Sequence, residues 1–276
     1  MYPVHPIQPC QQGGLVVPLP ILPKRSTVSF AVPFNGPPSQ KEQAVQAMFS
    51  SIARFYDLNN TCLSLGLHYF WKAAAVKEAC LCPGERVLDL GAGTLDLSLL
   101  ALREVKGDGV VALDLNEAML REGQRKLSKR HVKGITLLLA NAEQLPLPDK
   151  TFDVVLTGFC VRNLANMDRS LKEVHRVLKS RGRFVCLEFS SPQSRLLRKL
   201  YNFYSLYLLP KIGTFISGDK TAVYQYLPDS IRKFDRQEAF CARIKDAGFA
   251  SVYFKNLSGG IVAIHVGQKS DCAAGF

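Results

Sequence analysis

The stretch Val87-Leu88-Asp89-Leu90-Gly91-Ala92-Gly93-Thr94-Leu95-Asp96 decides the fold. A short, mostly apolar run enters a glycine turn, and a helical pattern follows near 96–105. Glycines at 91 and 93 let a ligand approach the backbone at the carboxyl end of a strand, where open α/β sheets bind their ligands. Outward from this turn, strands are expected at 86–90, 110–114, 135–140, 152–157 and 182–189, with helices at 117–129 and 168–179. Such alternation predicts an α/β fold with a doubly wound, mostly parallel sheet. Residues 251–257 and 260–266, separated by Ser258-Gly259, read as an antiparallel hairpin at one edge, which makes seven strands. Ahead of the sheet, 42–55 reads as a helix, with Val45, Met48, Phe49, Ile52 and Phe55 at three-to-four spacing. Tyr56-Asp57-Leu58-Asn59-Asn60 reads as a break, and 68–79 as a second helix that ends before Pro83-Gly84.

The carboxylates around the glycine turn indicate the ligand. In a dinucleotide site the helix after the turn faces a pyrophosphate. Here Asp89 and Asp96 flank the turn and would repel one, so they suit a cationic ligand. S-adenosylmethionine is such a ligand, with a sulfonium, an ammonium and no phosphate. Capping of the following helix by Asp96 is compatible with that role. Asp114 ends the second strand, 23 residues beyond Gly91, where a carboxylate can accept both ribose hydroxyls. Asn141-Ala142 follows the third strand and can address an adenine edge.

Length and composition bound the rest. The 276 residues, 47% hydrophobic, suffice for a sizeable core. No uncharged apolar stretch outside the N-terminal segment, 200–210 included, reaches the ~20 residues that a bilayer needs. The net charge of +12 suggests an anionic surface as neighbour, either nucleic acid or membrane. Eight cysteines without a Cys-x-x-Cys, and histidines without a His-x-x-x-His, predict free thiols, a reducing compartment and no structural metal. Residues 1–41 hold nine of the fifteen prolines and no acid, and read as a disordered leader. The expected organisation is therefore a leader at 1–41, one domain at 42–269 and a tail at 270–276.

Further motifs carry a resemblance: Tyr56-Asp57-Leu58-Asn59-Asn60 with Ser64-Leu65-Gly66-Leu67-His68-Tyr69-Phe70-Trp71-Lys72, Asn141-Ala142-Glu143-Gln144-Leu145-Pro146, Val161-Arg162-Asn163, Leu187-Glu188-Phe189-Ser190, and Tyr224-Gln225-Tyr226-Leu227-Pro228-Asp229-Ser230-Ile231. In order and spacing the chain resembles the class I methyltransferases, and among them the C-methyltransferases of ubiquinone and menaquinone biosynthesis, over about 43–269. The resemblance implies a Rossmann-like class I fold, S-adenosylmethionine as cofactor, and cofactor contact at Thr94, Asp114, Asn141 and Ala142. With Asp89, Gly91, Gly93 and Gly158 these form the expected cofactor site. The chain departs from the family at Leu95, at Gly158, at Ser180-Arg181-Gly182 in place of the usual Pro-Gly-Gly, and at Phe234-Asp235, which lacks the usual intervening proline. Leu95 replaces a glycine and would crowd the methionine end of the cofactor, or turn outward if its φ stays negative. Gly158 stands where many members have a cofactor-contacting serine.

The resemblance also implies methyl transfer to a ring carbon of a demethylated, reduced prenyl quinone, on either the menaquinone or the ubiquinone branch. Arg162, just after the fourth strand, is expected either to stabilise phenolate charge or to pin its loop through an ion pair. Tyr204, Tyr207 and His265 are further catalytic candidates. Residues 196–209 are apolar on nearly every face and fit either a lid over an isoprenoid substrate, within an insertion at 190–240, or a buried helix. Arg195, Arg198, Lys199 and Lys211 flank them and would favour anionic lipid. The expected partners are a prenylated quinol, peripheral contact at an inner membrane face from the cytoplasm, and a second copy in a homodimer. The charge would also permit an RNA methyltransferase, but no RNA-binding module and no Asn-Pro-Pro-Tyr-type motif follows strand four, so nucleic acid is not expected. Methylation of another small molecule and a catalytically impaired family member remain as alternatives.

Overall fold

The computed structural model describes residues 29–30, 39–208 and 223–271. Expectations for the rest of 1–38, for 209–222 and for 272–276 lie outside the described residues. The sheet strands are β1 (Ser29–Phe30), β2 (Val87–Leu90), β3 (Val110–Asp114), β4 (Ile135–Leu139), β5 (Phe152–Gly158), β6 (Leu178–Phe189), β7 (Ser251–Leu257) and β8 (Val262–Gln268). Their order is β1-β4-β3-β2-β5-β6-β8-β7. β1 to β6 pair in parallel, while β8 lies antiparallel to both β6 and β7. All seven expected strands are present, with the antiparallel hairpin at the edge. The eighth, β1, falls within the segment read as leader and pairs Ser29 and Phe30 with Leu138 and Leu139.

β2 lies at the centre and is buried at all four positions. Its alternation divides the core. Val87 joins a cluster with Trp71, Leu120 and Leu127, whereas Leu88 and Leu90 join one with Leu171, Val174 and Phe240. The first cluster is covered by α3 (Leu67–Glu78), α4 (Asp96–Val105) and α5 (Glu117–Lys129). The second is covered by α6 (Met167–Val177) and, later in the chain, α9 (Gln237–Asp246). A sheet covered on both faces is what near-continuous apolar strands require.

The N-terminal helices differ from expectation. α1 (Gln40–Ile52) begins two residues early because the Ser39 side chain accepts from the Glu42 N–H. Tyr56-Asp57-Leu58-Asn59-Asn60 does not break the chain. A 3₁₀ turn at Ala53–Phe55 leads into α2 (Tyr56–Leu63). Asp and Asn are weak helix formers. Tertiary contacts outweigh that here: Asp57 pairs with Lys126 at 2.7 Å and accepts from the Thr94 hydroxyl at 2.6 Å. α7 (Arg195–Phe203) continues into one π turn at Tyr204–Leu208, and α8 is Val223–Lys233.

Leu95 shows how a departure from the family pattern is absorbed. Its φ is +72°, so it keeps the left-handed backbone that a glycine would favour. Its side chain is fully buried in the core, against α5, where a Cβ on Gly123 would stand 2.5 Å from the Leu95 Cγ. The leucine therefore fills space that Gly123 vacates. Gly123→Ala should destabilise the protein by about 1–3 kcal/mol through overpacking, less what alanine gains in helix propensity. In a Leu95→Ala background the same change should be neutral or stabilising. Chemical denaturation of the four proteins of this cycle measures the coupling, and additive effects would refute the complementarity.

Candidate active site

The parallel strands end on one side of the sheet, and the turn after β2 opens a cleft there. Gly91 has φ +70°, and a Cβ on it would lie 2.2 Å from the Cys160 Sγ. Gly93 has φ +53°, and its N–H donates to Asp114 Oδ2 at 2.8 Å. The Asn116 N–H donates to Asp114 Oδ1 at 2.7 Å. One carboxylate thus holds the turns after two adjacent strands. Burial raises its pKa, and these backbone donors oppose the rise.

The structure brings Gly91, Gly93, Asp114, Asn141, Ala142 and Gly158 together around this cleft, about 100 Å³ in volume and covered by Glu42, Val45, Gln46 and Phe49 of α1. The lining holds three carboxylates, Glu42, Asp114 and Glu143, and no lysine or arginine. Burial and the neighbouring Glu143 both raise Glu42. Beneath the turn, Asp89 Oδ1 is buried without a partner. This donor set disfavours phosphate and fits a sulfonium nucleoside; Asp114, Asn141 and Ala142 line the cleft together. A Cβ on Gly158 would stand 2.7 Å from Leu97 Cδ1, so a side chain there meets core as it leaves the backbone.

Three expected residues lie behind the cleft and do not line it. Thr94 gives its hydroxyl to Asp57 of α2. Asp89 is fully buried under the turn, where Ser98 Oγ donates to Oδ2 at 2.5 Å; burial pushes this carboxyl up to about 7. Asp96 binds Lys72 at 2.7 Å and Lys126 at 2.8 Å. Burial would raise Asp96, but the two lysines outweigh it and bring it to about 2. The cationic partner that the sequence assigns to a ligand is therefore supplied to Asp96 by the protein itself. Leu95 does not line the cleft, so it does not crowd it.

A second, larger cavity of about 360 Å³ adjoins the first. Phe49, Tyr56 and Phe159 line both. Its walls are mainly apolar, from Met48, Ile52, Trp71, Phe189, Leu197 and Leu200. It holds two cations, Lys72 and Arg162, and no carboxylate. Arg162 Nη1 donates to Glu188 Oε1 at 2.6 Å and to the Phe159 carbonyl at 2.7 Å, and the guanidinium lies 5.2 Å from the Phe189 ring centroid. Its Nε–H is buried without a partner. Both sequence readings of Arg162 have a counterpart here: an ion pair that secures the loop, and a spare donor on a cavity-lining side chain.

Tyr204 also lines the cavity, but its hydroxyl donates to the Leu63 carbonyl at 2.6 Å. Tyr207 is exposed and packs on Phe203. His265 does not belong to the site. It sits in the middle of β8, buried between Phe240 and Phe254, and lines neither cavity. Burial lowers its imidazole to about 4, so it is a neutral core residue. Sequence reasoning missed His68, Lys72, Tyr201 and Tyr226 as cavity residues. His68 and Lys72 are four apart and share a helix face, but spacing alone does not say what that face meets.

The profile of the ubiE/COQ5 methyltransferase family matches residues 38–269. A Xanthomonas oryzae protein, the ubiquinone/menaquinone biosynthesis C-methyltransferase UbiE, is 44% identical over 231 residues, 83% of this chain and 91% of that protein. The rat 2-methoxy-6-polyprenyl-1,4-benzoquinol methylase, mitochondrial, is 39% identical over 268 residues, 84% of this chain and 82% of that protein. Among solved structures, the [4+2]-cyclase SpnF superposes with a TM-score of 0.62 at 15% identity, covering 85% of this chain and 98% of that one. A SAM-dependent methyltransferase from Thermotoga maritima gives 0.56 at 21% identity, covering 81% and 99%. At these identities the two structures establish the fold.

Asp114→Ala should weaken S-adenosylmethionine binding by about 1.5–3 kcal/mol, the scale of charge-assisted hydrogen bonds. Calorimetry reads this, and unchanged affinity would remove Asp114 from the site. For His265 the folded pKa of about 4 lies below the ordinary 6.5. The unfolded chain therefore binds a proton first as pH falls. The native state loses stability from pH 6.5 down to 4, by about 3 kcal/mol in all. His265→Leu should lose less over that window and keep methyl transfer. A folded but inactive His265→Leu would return the residue to the site.

Proposed function

The chain belongs to the ubiE/COQ5 methyltransferase family, and we propose that it methylates a ring carbon of a demethylated, reduced prenyl quinone. The observation that carries this reading is the pair of adjoining cavities with opposite character. One is acidic and free of lysine and arginine; the other is apolar, with two cations and no carboxylate. When bound, S-adenosylmethionine supplies a methyl carbon on a cationic sulfur, which the acidic cleft suits. The neighbouring cavity suits a ring whose oxygen gains negative charge as its carbon becomes nucleophilic.

Each side chain then has a task. Asp114 accepts the ribose hydroxyls, and the Asn141–Ala142 segment takes the adenine edge. Phe49, Tyr56 and Phe159, common to both cavities, set the approach of ring carbon to methyl at ~3–3.5 Å and exclude water. Arg162, held by Glu188, turns its Nε–H to the developing phenolate. Burial pushes the Tyr201 hydroxyl up to about 12, so it stays neutral in the cavity wall. The names of the relatives cover both quinone branches, and both substrates are carried into the test. Leu95, which would support an impaired family member, lies outside both cavities.

A prenyl tail needs an apolar way in. Large exposed hydrophobics flank the second cavity, among them Leu65, Leu67 and Phe70 near the start of α3 and Leu196, Leu200 and Phe203 on α7. Arg195 and Lys199 lie on the same α7. No described helix is long and apolar enough to cross a membrane. The exposed hydrophobics and these basic side chains support peripheral docking on an anionic bilayer to collect the substrate.

The test offers methyl-labelled S-adenosylmethionine and long-tailed demethylquinols of naphthoquinol and benzoquinol type in vesicles. A C-methylated quinol should form, faster from anionic than from neutral vesicles, as read by mass spectrometry. An O-methylated product, or none, refutes the chemistry. Equal rates from both vesicle types refute the docking. A concentration-dependent dimer that buries Leu196 and Leu200 would assign that face to a second copy.

A further inference from the structure

Resting on the proposed quinol substrate, we infer that His68 is a catalytic residue that accepts the proton of a quinol hydroxyl through its Nδ1. The hydrogen-bond network favours one ring nitrogen as the available one. Thr61 Oγ1 donates its single hydrogen to the Asp57 carbonyl at 2.8 Å. With its hydrogen on that carbonyl, Thr61 accepts from His68 Nε2, at 3.2 Å, and from the Tyr69 hydroxyl, at 3.0 Å. In that arrangement Nε2 carries the imidazole hydrogen and Nδ1 the lone pair. That lone pair has no partner, on a side chain 3% exposed that lines the quinol cavity. A buried acceptor without a donor is costly, and a ligand hydroxyl relieves the cost.

The surroundings suit the role. Burial, and then the Lys72 charge, lower the imidazole to about 4, so it is neutral at physiological pH; it takes the proton only as methyl transfer to the ring makes the hydroxyl strongly acidic. The charged groups around it are Lys72, Asp96, Asp57 and Lys126, with the Tyr69 ring tilted against it at 3.9 Å between centroids. Lys72 follows His68 by one helical turn and lines the same cavity. Its ammonium, bound to Asp96, places a buried positive charge near the oxygen that loses the proton. As the ring carbon gains its methyl, the hydroxyl proton passes to Nδ1. The ring then loses the hydrogen of the methylated carbon to water, and Nδ1 returns its proton to the quinol oxygen. One proton is released in all, and His68 ends as it began.

The experiment uses the whole protein with a short-tailed demethylquinol. Nitrogen-15 NMR of the imidazole, with S-adenosylhomocysteine present to prevent turnover, should show the Nε2–H tautomer alone. Adding the quinol should shift Nδ1 as an acceptor of a hydrogen bond. His68→Gln should lower the single-turnover rate about a hundredfold or more, the scale of general acid–base catalysis, with cofactor affinity and melting temperature near wild type. Thr61→Val, which releases the tautomer, should lower the rate to a smaller extent while the fold holds. An unmoved Nδ1 signal, or a near-normal rate in folded His68→Gln, overturns the inference. So does an effect on cofactor binding and melting alone, which is what a purely structural His68 would give. Failure of the wild-type protein to methylate the quinol would instead refute the substrate reading.

Discussion

One carboxylate, Asp114, ties together the carboxyl ends of two neighbouring strands, and the site is built on that tie. The Gly93 and Asn116 N–H groups both donate to it. The first shapes the glycine turn after β2; the second shapes the entry to α5. Asn116 in turn donates through its side chain to the Gln46 carbonyl and to Ser50 Oγ of α1. The helix that covers the cleft is thereby anchored to the same place. A buried carboxylate is tolerated there because backbone donors compensate its desolvation.

A second anchor lies on the other side of the turn. Asp57 of α2, Lys72 of α3, Asp96 of α4 and Lys126 of α5 join in one chain of ion pairs. Such a network is expensive to bury unless complete, so it specifies how the N-terminal helices dock more than it adds stability. Its consequence is chemical. With Asp96 occupied by lysines, the carboxylates that remain facing the cleft are Glu42, Asp114 and Glu143, and Lys72 becomes a wall of the neighbouring cavity. The contrast in charge between the two cavities comes from this division.

Strand-end positions were legible in the sequence. Gly91, Gly93, Asp114, Asn141, Ala142 and Gly158 meet in one cleft because parallel strands deliver their ends to one side of a sheet, whatever the packing elsewhere. Side-chain direction was not legible. Thr94 and Asp96 sit one and three residues beyond Gly93, yet both face neighbouring helices. His265 is chemically capable, but strand alternation carries it to the core beside Phe240. His68 had no local signal beyond a helical position, because its ring partner, Thr61, lies on another helix.

The sequence by itself determined the α/β alternation, the parallel sheet with its antiparallel edge, the place of the cleft and the family. These depend on periodicity, turn residues and order along the chain, all of which are local or one-dimensional. Tertiary structure alone decided that 56–63 is helical, that Ser29–Phe30 joins the sheet, that Leu95 turns into the core against Gly123, and which charges face which cavity. Each depends on a partner tens of residues away, and the energy that selects it exists only once both are brought together.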